Sequence, residues 1–180
     1  PCGGATRAET VIGGLKALLA RGAAQHDWVL VHDAARCLVT TAQIDHLIDE
    51  CERDSVGGLL AHKLPDTLKT AVTGANGVRV AATVDRSDKW LAQTPQMFRL
   101  GVLLDALVRM GAVATDEASA MEALGHRPKL VPGGAQNFKV TYPDDFALAE
   151  AVLTQRGGSA TLERFKGKRN AVHPTGNPFF

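Results

Sequence analysis

The apolar positions of the chain repeat with two periods, and the switches between them lay out its elements. Val11, Leu15, Leu18 and Leu19 recur at helical spacing behind Thr6 and Glu9, which stand three apart as in a capping box, and Gly22 is placed to end that helix. Trp28-Val29-Leu30-Val31 is a short unbroken apolar run, which reads as a strand buried on both faces. Thr40 and Gln43 repeat the capping spacing ahead of Ile44, Leu47, Ile48 and Cys51 on one helix face, and Val56-Gly57-Gly58-Leu59-Leu60-Ala61 reads as the next buried strand. Strand, helix and strand at this spacing predict a βαβ unit, hence a parallel sheet with a right-handed crossover.

The texture then changes. Leu64–Thr73 and Val78–Val84 are short, β-branched and more polar, and the Asn76-Gly77 pair between them signals a tight hairpin. A lone two-stranded arm is marginal unless packed on something; it folds back on its own domain or reaches across to a partner chain. Asp85–Phe98 is dense in polar donors and shows no amphipathic period, and Thr94 is pushed towards an extended conformation by Pro95. Leu100, Leu103, Leu104, Leu107 and Val108 predict a helix ending near Gly111, and Thr115 stands as N-cap for a helix over 116–124. Lys129–Val131 and Asn137–Thr141 read as short strands. Pro143 opens a last helix that turns Phe146, Leu148, Ala149, Val152 and Leu153 inward. The pattern stops after Gln155, where Gly157-Gly158-Ser159 reads as a flexible break. The expected organisation is one domain over 1–155 carrying a hairpin arm at about 64–84, then a basic tail over 156–180 without regular structure.

Composition narrows the class. In 180 residues, 45% apolar and 22% charged, 20 basic and 19 acidic side chains nearly cancel, so no global basic field announces nucleic acid or an anionic membrane. No apolar run approaches spanning length. Three cysteines without zinc-like spacing point to reduced thiols in a cytoplasm. The six histidines are scattered and are assigned no ligand role. Neither a Walker-type loop nor a Gly-x-Gly-x-x-Gly fingerprint is present.

Candidate chemistry gathers after the first strand, at Asp33-Ala34-Ala35-Arg36. Ligands in open α/β sheets bind at the carboxyl ends of strands, and one aspartate there holds a divalent metal whose other positions are filled by substrate phosphates. Asp33 reads equally as a turn cap and Arg36 as a solvated charge. Gly3-Gly4, ahead of the first helix, exposes N–H groups where an anion or a nucleotide edge can sit, although most such turns bind nothing.

Seven ordered blocks go further: Gly3-Gly4-x-x-Arg7-x-x-Thr10-Val11; Val31-His32-Asp33-Ala34-Ala35-Arg36; Asp66-Thr67-Leu68-Lys69; Asp85-Arg86 with Trp90; Thr94-Pro95-Gln96-Met97-Phe98; Thr115-Asp116-Glu117-Ala118-Ser119; and Asn137-Phe138-Lys139-Val140-Thr141 with Pro143. Over about residues 3–153 the set resembles the 2-C-methyl-D-erythritol 4-phosphate cytidylyltransferases of non-mevalonate isoprenoid synthesis. The resemblance implies an α/β, Rossmann-like nucleotidyltransferase fold with a mostly parallel sheet and a protruding β-hairpin arm. It also implies transfer of CMP from CTP to methylerythritol phosphate with release of pyrophosphate, assisted by magnesium. It assigns Asp33 to the metal, with Asp33, Arg86 and Lys139 as the catalytic set. Gly4, Ala5, Thr10 and Ala34 would take CTP, and Arg36, Thr67, Arg86, Thr94, Thr115 and Lys139 the sugar phosphate. It further implies a homodimer whose arms embrace.

Two departures qualify it. The family's N-terminal glycine-rich loop, with its cations for the triphosphate, and the first strands of the sheet have no counterpart, so this chain is expected to turn over poorly; each missing preorganised donor is worth ~10²–10³ in rate. Cys37 stands where the family usually has proline. The competing readings are another alditol-phosphate cytidylyltransferase and a non-catalytic truncated product that only folds and dimerises.

Overall fold

The computed structural model describes residues 2–169, without the side chains of residue 112 and of residues 159–169. Its elements run α1 (Arg7–Ala20), β1 (Trp28–Val31), α2 (Thr41–Cys51), β2 (Gly57–Lys63), β3 (Leu68–Gly74), β4 (Gly77–Val84), β5 (Trp90–Arg99), α3 (Leu100–Met110), α4 (Glu117–Ala123), β6 (Lys129–Pro132) and α5 (Pro143–Arg169). The chain divides into two units, Pro1–Phe138 and Lys139–Phe180.

The first unit is built on a four-stranded sheet in the order β1-β5-β2-β6. Alternation along its strands makes two cores. Leu59 and Phe98 face α1, α3 and α4, where Leu15, Leu103, Leu107, Ala118 and Met121 are buried; Leu60 and Met97 face α2, where Leu47, Cys51 and Val131 close the other layer. Helices on both faces of the sheet give the expected α/β architecture. Both predicted capping boxes form: Thr6 accepts from the Glu9 N–H and Thr40 from the Gln43 N–H, with the reciprocal side-chain bonds also made.

The structure departs from the sequence expectations at several places. Asp85–Phe98, which shows no amphipathic period, contains the longest described strand, Trp90–Arg99, in which Thr94 is extended as expected and residues 93–98 are buried. That strand runs antiparallel to both β1 and β2, so the two strands of the predicted βαβ unit are separated by β5 rather than adjacent. Among the described strands β1 ends the sheet, with Leu30 exposed and the other three residues half-buried, where the sequence predicts a strand buried on both faces. Asn137–Thr141 forms no strand; the Asn137 side-chain amide instead donates to the Thr94 carbonyl of β5. Finally, α5 runs through Gly157-Gly158-Ser159 to Arg169 instead of stopping after Gln155, and Phe146, Leu148 and Leu153 on it are exposed rather than inward. The last part of the expected tail, residues 170–180, lies outside the described residues.

Gly57 is what lets β2 lie so close to β5. Its φ of +104° suits only glycine, and a Cβ there would run into the Met97 carbonyl. β3 and β4 form a separate two-stranded sheet, closed by Ala75-Asn76 between the paired Gly74 and Gly77. Nearly every residue of this arm is exposed, Val72, Val78 and Val80 among them.

Candidate active site

The loop after β1 is held from three sides. The Asp33 N–H donates to Thr94 Oγ1 at 3.0 Å, and that hydroxyl lies 3.0 Å from His32 Nδ1. The His32 Nε2–H donates to the Arg36 carbonyl at 3.1 Å. An accepting carbonyl requires the proton on Nε2, which leaves Nδ1 to receive the threonine hydroxyl. Arg36 then reaches across the sheet end: Nη1 donates to the Asn137 carbonyl at 2.8 Å and Nη2 to the Ala92 carbonyl at 3.2 Å. Burial lowers its basicity from the ordinary guanidinium value; the Asp33 charge opposes that shift and the Arg7 charge adds to it.

Beneath this loop lies a polar layer that no hydrophobic period announces. Asn137, fully buried, donates from Nδ2 to the Thr94 carbonyl at 2.9 Å and faces Gln93 Oε1 at 3.4 Å. Gln93 Nε2 donates to the Gly134 carbonyl at 2.9 Å. Gln96 joins β5 to the start of α4, accepting from the Ala118 N–H at 2.8 Å and donating to Asp116 at 2.9 Å. Asp116, not Thr115, is the N-cap of α4: its carboxylate accepts from the Ser119 N–H at 2.8 Å, while the exposed Thr115 hydroxyl bonds Ser119 Oγ at 3.2 Å.

Arg7, the first residue of α1, meets two carboxylates. Its Nη1 and Nη2 donate to Oε1 and Oε2 of Glu117 at 2.7 and 2.9 Å, and its Nε donates to Asp33 Oδ1 at 2.9 Å. Glu117 is fully buried and the Asp33 side chain is 16% exposed. The Glu117 bond raises the Arg7 pKa most, burial works against it, and the charges of Glu117 and Asp33 raise it further.

The other expected site residues are distributed as follows. The Gly4 N–H donates to Thr10 Oγ1 at 3.0 Å, and that hydroxyl donates to the Thr6 carbonyl at 3.0 Å, so Thr10 pins the glycine turn onto α1. Gly4, Ala5 and Ala34 are exposed. Thr67 and Arg86 are exposed at the two ends of the arm, Arg86 beside Lys63, Leu64 and Pro65 around a cavity of about 560 Å³. Lys139 is exposed at the start of the second unit. Asp33, Arg36 and Thr94 are thus brought together. Arg7 and Glu117 join them without having been singled out; their signal was present in the first and sixth sequence blocks.

Among the described residues no group of three or more His, Cys, Asp or Glu could hold a metal ion by protein ligands alone. A magnesium ion in a phosphate site asks for less, one or two carboxylates with substrate phosphates and water completing the shell. The hard, half-buried carboxylate of Asp33 fits that demand.

A model of the family described as IspD, 2-C-methyl-D-erythritol 4-phosphate cytidylyltransferase, matches residues 2–155. The chain belongs to this family. Over 155 residues it is 69% identical to the bifunctional enzyme IspD/IspF of Albidiferax ferrireducens, covering 86% of this chain and 36% of that one. It is 56% identical to the 2-C-methyl-D-erythritol 4-phosphate cytidylyltransferase of Nitrosomonas eutropha, covering 86% of this chain and 66% of that protein. A crystal structure of 4-diphosphocytidyl-2C-methyl-D-erythritol synthase superposes with a TM-score of 0.76 at 48% identity over 84% of the chain and 68% of its own. The cytidylyltransferase from Thermus thermophilus gives 0.72 at 35%, over 84% of this chain and 71% of that one. The IspD fold is therefore the fold of this chain. The chain spans just under two thirds of the Nitrosomonas relative's length and about a third of the bifunctional relative's. No helix among the described residues is long and apolar enough to cross a membrane.

Proposed function

We propose that this chain is part of a cytidylyltransferase that joins CTP to 2-C-methyl-D-erythritol 4-phosphate. In that reaction a phosphate oxygen of the sugar attacks the α-phosphorus of CTP, the bond to the β-phosphate oxygen breaks, and pyrophosphate leaves. Both reactants are polyanions, so the protein's part is to hold them in line and offset their charge. The observation that carries the reading is the placement of Asp33: its carboxylate is held by Arg7 and its backbone N–H by the Thr94 hydroxyl, at the carboxyl end of a strand, in a chain of the IspD family.

Asp33 would hold the magnesium ion, which neutralises phosphate oxygens when bound. Gly4, Ala5 and Ala34 offer exposed backbone to the nucleotide, with Thr10 fixing that turn. Arg86 and Lys139 are the cations assigned to the sugar phosphate, with Thr67 and Thr115 as hydroxyl donors. Arg36 serves by holding the loop, because its terminal nitrogens already bond two carbonyls. The arm gives the enzyme a homodimer, a reading supported by its separate two-stranded sheet with exposed valines.

The test is CTP- and magnesium-dependent pyrophosphate release by the complete protein, with methylerythritol phosphate and ribitol phosphate compared. Turnover confined to methylerythritol phosphate and lost in Asp33→Asn is the expected result. Equal turnover on both polyol phosphates, or a fully active Asp33→Asn variant, overturns it.

A further inference from the structure

A carboxylate removed from water is costly unless matched by a cation and its hydrogen bonds. Glu117 is fully buried and is matched end-on by the Arg7 fork through two bonds, at 2.7 and 2.9 Å. A forked pair of this kind fixes the plane of the guanidinium as well as its position. With the plane set, a single direction is left for the Nε–H, and it ends on Asp33 Oδ1 at 2.9 Å. The three residues belong to three elements: Arg7 opens α1, Glu117 opens α4, and Asp33 follows β1. Their separation in the chain is 26 residues for one bond and 110 for the other two.

We infer that Glu117, acting through Arg7, is a positioning residue for the Asp33 carboxylate. Glu117 touches no reacting group in this arrangement. It holds Arg7 so that Arg7 orients Asp33, and Arg7 is thereby a structural cation and not one offered to substrate phosphate. The carboxylate that the proposed function gives to the metal is aimed from the buried side of the first core, by an ion pair that reaches it from α4. A lysine at position 7 keeps the charge but has no fork, so it cannot define the same direction. The other charged group near the assembly, Arg36, is committed to the Asn137 and Ala92 carbonyls.

The inference rests on the proposed function for its meaning in catalysis, and its test separates the two. The 180-residue chain is compared with its Glu117→Gln, Arg7→Lys, Asp33→Asn and Glu117→Gln/Asp33→Asn variants. The first readout is the carbon resonance of the Asp33 side-chain carboxyl, with the amide signals of residues 33–36; it needs neither ligand nor turnover. Glu117→Gln and Arg7→Lys are both expected to move that carbon resonance and broaden those amides, while the amide signals of α3 stay in place. The second readout is the affinity for magnesium-CTP by calorimetry. Glu117→Gln is expected to weaken it tenfold or more, and to cause no further loss once Asp33 is Asn.

An Asp33 resonance unmoved in the folded variants overturns the inference, as does an equal loss of affinity with and without the Asp33 carboxylate. Arg7→Lys, at a site 35% exposed, gives the answer if Glu117→Gln does not fold. If the wild-type chain does not bind magnesium-CTP, the resonance comparison alone decides the positioning role, and the proposed function is decided separately by turnover of the complete protein.

Discussion

Gln96, in the middle of β5, donates to the Asp116 carboxylate at 2.9 Å, and its other amide atom accepts the Ala118 N–H at 2.8 Å. One buried side chain thus ties β5 to the first turn of α4, where Glu117 also sits. Gln96→Leu keeps the volume but leaves the buried Ala118 N–H and one oxygen of the half-buried Asp116 without this partner. The cost of such orphaned groups is about 2–4 kcal/mol. Urea denaturation of the variant should show the midpoint falling accordingly with an unchanged slope.

Arg36 links its own loop to residues 92 and 137. Arg36→Met should loosen both attachments at once. Amide exchange is expected to quicken at residues 33–36 and 133–137 and to stay as it was in α3, with a stability loss of about 2 kcal/mol. Uniform protection across these loops in the variant would show that Arg36 does not hold them.

The arm predicts its own removal. Joining Thr67 directly to Val84 deletes residues 68–83 while the four-stranded sheet, which shares no strand with the arm, should stay folded. If the arm makes the proposed dimer, light scattering on the eluted protein should then report a monomer for the deletion and a dimer for the parent. A dimer that survives the deletion refers the subunit contact to some other surface.

Asp54 caps the entry into β2, accepting the Val56 and Gly57 N–H groups at 2.8 and 2.9 Å, and those two bonds hold its carboxyl below the usual aspartate range. A carboxyl lowered in the folded state stabilises the fold above its unfolded pKa of about 3.9, and the contribution is lost as pH falls through the lower, folded value. Asp54→Ala should therefore be less stable than the parent at neutral pH by about 1 kcal/mol, a modest figure because the site is partly solvated. The gap between the two should close in strongly acid solution. Thermal melts at neutral and acid pH give the comparison directly.

Cys51 is buried in the α2 layer, and its thiol is pushed up to about 11, first by burial and then by the Asp54 charge. Cys2 and Cys37 are exposed. At mildly alkaline pH a thiol reagent should label Cys2 and Cys37 rapidly and reach Cys51 only on unfolding, as peptide mapping after timed quenching will show.

What the sequence disclosed depended on how far away each residue's partner lies. Thr6 with Glu9, and Thr40 with Gln43, are reciprocal pairs three residues apart, and both were legible as local signals. β5 was not. Gln93, Thr94 and Gln96 look like solvent-facing positions until Gly134, Asp33 and Ala118 are brought to them by the fold, and no periodicity carries that information. The run at Trp28–Val31 reads as a strand and forms one, but apolar content does not reveal how many neighbours a strand has. At the site, Asp33 stood out through its place after a strand. Glu117 was hidden by an adequate local explanation, a carboxylate complementing a helix start, and only the fold shows it meeting Arg7.

β2 and β5 are neighbours, and their outermost pair, Lys63 with Trp90, is extended by the Leu64 N–H donating to the Lys89 carbonyl at 3.1 Å. The chain therefore leaves the sheet and returns to it through one clasp, so that everything between is an appendage whose length the body of the protein does not register. Residues can be added or taken away in matched pairs beside the Gly74–Gly77 tip without disturbing β1 and β5, which hold the loop of Asp33. Under the proposed function, reach towards another subunit and precision at the reacting centre are adjustable independently.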